Sequence, residues 1–217
     1  MRKRYLYLIV TIVIIWILSS CNDISAPNNE VDNYFPFADN YNWTYEKTYN
    51  ENVINDTVFG NTIIDTVVFS ASISDTINNI PHFIFNKESL YEIHLFREDN
   101  CYYSTEHPQN EEGPYLYWNN DFLINDTWVY WAYGQVADRP HLLYPINNEV
   151  VALDSSIIVN NQNYSNCIVI KRNYINLAGH EEMWFYAEDV GLVLIQGTKS
   201  LLSRTDTYEY KIIDYNF

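Results

Sequence analysis

From Tyr34 onward, apolar and polar residues change places at every second position over much of the chain. In "TVVFSASIS" (66–74), Val67, Phe69, Ala71 and Ile73 share one side, with Ser and Thr on the other. A period of two is the period of a strand with one buried face. "WTYEKTY" (43–49) groups Trp43, Tyr45 and Lys47, and "TDTYEYKIIDY" (205–215) groups Tyr208, Tyr210 and Ile212. Further strands are predicted at 82–86, 90–96, 101–105, 127–133, 149–153, 156–160, 167–175, 182–187 and 192–197, separated by Asn, Asp, Gly and Pro clusters. In "TWVYWAY" (127–133) both faces are apolar, as in a strand covered on two sides. No segment keeps a spacing of 3.6. Ten to twelve such strands predict an all-β, single antiparallel domain, built as a curved sheet, an open barrel or a sandwich. Residues 106–120 form the longest stretch without a strand pattern and read as a loop. "EDVG" (188–191) reads as a hairpin turn with Gly191 at the flexible position.

Two echoes run through the domain. "FADNYNWTY" (37–45) and "FLINDTWVY" (122–130) share Phe-x5-Trp-x-Tyr, and "FGNTIIDTVVF" (59–69) and "VNNQNYSNCIVI" (159–170) share a turn before a β-branched strand. They suggest a duplication with halves of roughly 34–120 and 121–217, against coincidence in an Asn- and Ile-rich β protein. If the halves are equivalent, Trp43 and Trp128 are both buried and structural.

Before the domain the pattern is different. Arg2, Lys3 and Arg4 precede an almost wholly apolar run from Leu6 to Leu18, then Ser19, Ser20 and Cys21. A basic start with a short apolar stretch reads as a signal peptide, since a permanent span wants about 20 apolar residues. The Leu-Ser-Ser-Cys end resembles the lipobox of bacterial lipoproteins. That resemblance implies cleavage after residue 20 and a diacylglyceryl thioether on Cys21. Residues 21–33 then read as a lipidated, flexible tether and 34–217 as the folded domain. Asn22 follows the cysteine where the inner-membrane retention signal has Asp, so the outer membrane is the expected address.

Charge narrows the partners. The chain has 12 Lys+Arg against 28 Asp+Glu, a net charge of −16. Removing three basic leader residues leaves 12 − 3 = 9 against 28, or −19. Such a surface repels phosphate backbones, which argues against nucleic acid. It also repels anionic headgroups, so the membrane contact is the lipid on Cys21. Cys101 and Cys167 are left either to pair in an oxidising envelope or to sit as buried thiols.

Several landmarks resemble small envelope lipoproteins of Bacteroidota, the DUF3108/TapB-like group. These are Tyr34-Phe35-Pro36-Phe37 with Trp43 and Tyr45, the turn and strand from Asn161 to Val169, and Trp184-Phe185-Tyr186-Ala187 followed by Val190-Gly191-Leu192-Val193. The resemblance implies a curved antiparallel sheet and an envelope location, and it transfers no catalytic residue. Asp189 and Asn161 stand at or near turn positions where the group has Gly. Asp and Asn tolerate the left-handed conformation better than most residues.

Candidate chemistry is sparse. There is no G-x-S-x-G, S-x-x-K or H-E-x-x-H, so neither a catalytic nucleophile nor a metal site is predicted, and no cofactor motif is found. His180-Glu181-Glu182 falls before a strand, and Glu92 and His94 share a strand face with His82 in a nearby strand, without ligand spacing of known specificity. Trp118, Trp131 and Tyr133 are the candidates for stacking on a sugar or lining an apolar groove, with core packing as the alternative. Asp-Thr-aliphatic triplets make Thr57, Thr66 and Thr76 candidate O-glycosylation sites. The expectation is a lipid-anchored, non-catalytic binding or assembly module for a glycan, lipid or envelope protein. The alternatives are a glycan hydrolase using Asp/Glu residues and a purely structural docking protein. An aromatic-lined cavity would favour ligand binding, convergent carboxylates in a cleft the enzyme, and a filled core docking.

Overall fold

The computed structural model describes residues 34, 40–55, 57–77, 80–87, 91–98, 101–104, 115–136, 139–201 and 204–216. The leader, Cys21 and the tether lie outside the described residues. Fourteen strands follow in order: β1 (Tyr41–Asn50), β2 (Val53–Ile54), β3 (Thr57–Val58), β4 (Thr62–Ile77), β5 (Ile80–Lys87), β6 (Tyr91–Glu98), β7 (Cys101–Ser104), β8 (Tyr115–Asn119), β9 (Thr127–Val136), β10 (Arg139–Val159), β11 (Gln162–Tyr174), β12 (Glu181–Ala187), β13 (Gly191–Leu201) and β14 (Arg204–Asn216). No helix occurs among the described residues.

Twelve strands form one antiparallel sheet in the order β8-β7-β6-β5-β4-β1-β14-β13-β12-β11-β10-β9. It is two meanders, β1 with β4–β8 and β9–β14, joined where β1 pairs with β14. The short β2–β3 ribbon prolongs the β1–β4 hairpin. The two outermost strands, β8 and β9, are consecutive in the chain, yet no ladder joins them. The sheet is therefore a nearly closed barrel with one seam. Aromatic rings seal that seam: Tyr117 meets Tyr130 edge-on at 5.2 Å, and Phe122, from the connecting turn, stacks on Trp128 at 4.5 Å.

The seam corrects two expectations. Part of the stretch read as a loop, 115–119, is strand β8. Strand β9 is an edge strand whose outer Val129 is exposed, so it is not covered on two sides. Segments 149–153 and 156–160 belong to one strand, β10, which bends through register shifts around Asp154. The meanders divide at the β8–β9 connection. β1 and β9 open them, whereas the second echo falls on β4, next to β1, and on β11, which β10 separates from β9.

Turn chemistry explains how so many hairpins form with few glycines. Every described non-glycine residue with positive φ is Asn or Asp, including Asn160, Asn161 and Asp189. Their short polar side chains tolerate the left-handed region that glycine would otherwise supply. Asn160 and Asn161 together make the two-residue β10–β11 turn, as a primed hairpin turn requires.

The inward faces of both meanders meet in one aromatic core. Tyr45, Phe69, Leu95, Tyr102 and Trp118 are fully buried. Trp43 Nε1 donates to the Val190 carbonyl at 2.8 Å, and the Tyr45 hydroxyl donates to the Leu192 carbonyl at 2.6 Å, tying β1 to the β12–β13 hairpin. The two cysteines among the described residues are free thiols, Cys101 half-buried and Cys167 buried. Burial pushes the Cys167 thiol up to about 11, so it packs as an inert apolar group.

Candidate functional site

Pairing in register carries one belt of residues around the barrel wall: Trp128, Asn148, Arg172, Glu182, Gly197, Tyr208 and Tyr49. Residues directly opposite one another share a face, so the belt looks inward together. It sets a charged pair inside the barrel. Arg172 and Glu182 are 4% and 2% exposed, with their nearest charged atoms 3.9 Å apart.

Each charge is answered by several neighbours. Glu182 accepts from Trp184 Nε1 at 2.7 Å, from the Tyr208 hydroxyl at 2.5 Å and from Tyr174. Tyr208 spends its one proton on Glu182, so His180 Nε2–H donates to the Tyr208 oxygen at 2.9 Å. His180 in turn stacks on Tyr174 with ring centroids 3.8 Å apart. Arg172 donates to the Tyr130 hydroxyl and lies over the Trp184 ring, 3.8 Å from its centroid. Burial, and then the Glu182 charge, push the Tyr174 and Tyr208 phenols far up, so both remain donors. Asn148 completes the belt by donating to the carbonyls of Ile146 and Trp128.

Chemically this arrangement is closed. A buried carboxylate already holding three donors and a guanidinium has no open side for a substrate. The pair spans β11 and β12, and a slip of one residue between them would strand both charges.

On the outer face of the same strands lies a shallow depression of about 390 Å³. Thr48, Asn50, Glu181, Met183, Gln196, Thr198, Thr207 and Glu209 line it, together with Glu182, Gly197 and Tyr208 of the belt. Its carboxylates are engaged: Glu181 pairs with Lys171 at 3.1 Å and Glu209 with Lys211 at 2.5 Å.

Among the described residues, the predicted site residues do not converge. Trp118 is 1% exposed and packs on Phe122 and Tyr186, so it is a core ring and offers no face to a ligand. Trp131 is half-buried on β9, and the Tyr133 side chain lies outside what is described. Thr57 and Thr66 are exposed on β3 and β4, while the Thr76 side chain is not described. Among the described residues no three His, Cys, Asp or Glu side chains gather, and exposed His94 pairs with Ile84 rather than His82.

The belt itself was missed, although its signal was present. In "CIVIKRNYI" the alternation that turns Ile168 and Ile170 inward also turns Arg172 inward, and Glu182 likewise shares a face with Trp184 and Tyr186.

A scan against known protein families and a search of curated proteins give no match. Among solved structures, a Bacteroides fragilis protein described as exported, with a YmcC-like fold, aligns over 85% of this chain and 99% of its own at TM-score 0.47 and 11% identity. A Parabacteroides distasonis protein described as a lipoprotein aligns over 85% and 99% at TM-score 0.42 and 12% identity. At these scores neither likeness bears on function.

Proposed function

We propose that this protein is a lipid-anchored module of the outer membrane that docks a partner protein on the outside of its barrel and performs no reaction of its own. The packed aromatic core among the described residues is the observation that carries this reading. Rings that could have lined a ligand cleft, Trp118 and Tyr102 among them, are packed into the core, and the Glu182 carboxylate is taken up by Trp184 and Tyr208. Large exposed apolar side chains sit on the outside instead, at Ile64, Val129 and Ile158 among others. The Leu-Ser-Ser-Cys end of the leader and the resemblance to envelope lipoproteins support the anchor at Cys21. The depression lined by hydroxyl and amide groups favours a glycan as the second reading.

Two experiments on the full-length protein in its host test this. A photo-crosslinking amino acid at Ile64, Val129 or Ile158 should give a discrete protein adduct from at least one position. Adducts with polysaccharide alone, or none, would overturn docking. Cys21→Ser should leave an unprocessed precursor that no longer takes up a palmitate analogue. Continued labelling would sink the anchor, and residence in the inner membrane would sink the address.

A further inference from the structure

Strand β4 outruns its neighbour. It spans Thr62–Ile77, and β1 covers one edge from Thr62 to Ala71. On the other edge β5 pairs only from Phe69 to Ile77. Among the described residues, no strand pairs with that edge between Thr62 and Val68. The bare segment reads Thr-Ile-Ile-Asp-Thr-Val-Val, β-branched everywhere except Asp65. Such residues suit strand pairing best. Ile63, Ile64 and Val68 are 52%, 66% and 44% exposed. Natural edges are commonly blunted by charged side chains, Pro or a bulge, and this stretch of sequence has a single charge, Asp65, and neither Lys nor Pro.

The backbone is oriented to receive a strand. The Thr66 N–H is held by its own neighbour, Asp65 Oδ1, at 2.8 Å, so it is not donated to β1. Alternation along an antiparallel strand then turns the N–H groups of Ile64 and Val68 outward with it. Asp65 works as a local cover on that edge, one that an incoming strand can displace.

We propose that the bare edge of β4, Thr62–Val68, binds an extended, cationic segment of another protein, which adds to the sheet as a strand with Lys or Arg opposite Asp65. This rests on the docking reading and gives it a place and a chemistry. Main-chain hydrogen bonds supply affinity in strand addition, and alternate side chains supply specificity. Charge decides the occupant. Antiparallel pairing of Thr62–Val68 with a second copy, centred on its middle residue, would set Asp65 against Asp65, and like charges directly opposite destabilise a ladder. Two chains of net charge −16 also repel each other at longer range. On the β1 side Asp65 already faces Lys47, whose ammonium lies 5.1 Å over the Tyr210 ring. A cation on the incoming strand would complete the same arrangement on the other side.

The test uses labelled peptides and the full chain in detergent at low salt. The probe is Lys-Thr-Val-Thr-Lys-Thr-Val-Thr-Lys, and its control has Glu in place of every Lys. The cationic peptide should bind about tenfold tighter or better, and slow deuterium exchange at Ile64, Thr66 and Val68. Ile64→Pro removes one outward donor without touching the β1 ladder and should weaken binding about tenfold. Asp65→Lys leaves the backbone intact and should reverse the preference between peptides, which keeps the test decisive if the proline variant unfolds. Equal binding of both peptides, no binding, or binding indifferent to both variants overturns the proposal. So does a dimer in sedimentation equilibrium that Ile64→Pro dissolves. Protein adducts from Val129 or Ile158 alongside failed peptide binding would leave docking standing and remove only this edge.

Discussion

The phenol of Tyr208 fills the space that a side chain on Gly197 would need. A Cβ on Gly197 would lie 2.2 Å from Tyr208 Cζ, and the hydroxyl beyond it reaches Glu182 at 2.5 Å. Glycine at 197 is thus what lets an aromatic residue on β14 cross β13 and bond to β12. Gly197→Ala should displace the ring and break that bond, at a cost of about 2–4 kcal/mol from overpacking and a lost charge-assisted hydrogen bond. Tyr208→Phe keeps the ring and should cost less, about 1.5–3 kcal/mol. Urea denaturation of the two variants would show the order, and a reversed order would contradict this packing.

The Arg172–Glu182 pair should behave as a unit. Removing one partner, by Arg172→Leu or Glu182→Leu, leaves a buried charge and should cost about 3–5 kcal/mol. The double variant should cost clearly less than the sum of the singles, because no orphaned charge remains. Additive losses in a double-mutant cycle would mean that the two residues do not share one network.

Asp206 predicts a pH dependence. It is fully buried and accepts from the Tyr49 hydroxyl at 2.6 Å and the Asn52 N–H at 2.9 Å, with Arg204 3.2 Å away. Burial alone would raise its pKa, but the Tyr49 and Asn52 bonds and the Arg204 charge outweigh it and hold the carboxyl below the usual range. The folded value lies below the unfolded one of about 3.9, so the stabilisation is complete above that pH. It is lost as pH falls through the folded value. The stability difference between wild type and Asp206→Asn should therefore be constant from neutrality to about pH 5 and shrink below about pH 4. A difference that grows on acidification would refute the assignment.

Trp43 and Trp128 should not be equal. Trp43 is 4% exposed and hydrogen-bonded to Val190, whereas Trp128 is half-buried beside the seam and its Nε1 has no hydrogen-bond partner among the described residues. Trp43→Ala should cost about 3–5 kcal/mol, as core aromatic truncations do. Trp128→Ala should cost about 1–3 kcal/mol, in the ordinary range for a partly exposed site. Equal losses in chemical denaturation would show that the seam packs as tightly as the closed wall.

Strand and turn positions were legible because their causes are local. The two-residue period turns Phe69, Ala71, Tyr210 and Ile212 inward wherever the strand pairs, and the structure buries all four. Asp189 and Asn161 adopt positive φ as their side chains allow. Strand β8 was not legible. Its five residues follow a polar stretch and are too few to establish a period, and Trp118 joins the core partly through Tyr186, from a strand far along the chain.

By itself the sequence determined an all-β antiparallel domain, the Asn and Asp turn positions and the face that β1, β4 and β14 bury. These follow from backbone sterics and side-chain alternation within a few residues. Only the tertiary structure decided that Arg172, Glu182 and Tyr208 meet, because register, not spacing along the chain, sets them side by side. It alone also decided that, among the described residues, no strand pairs with the second edge of Thr62–Val68, since that depends on where β5 stops pairing. Pairing partners and strand ends are settled by which apolar faces can be buried together, a property of the whole sheet that no single segment carries.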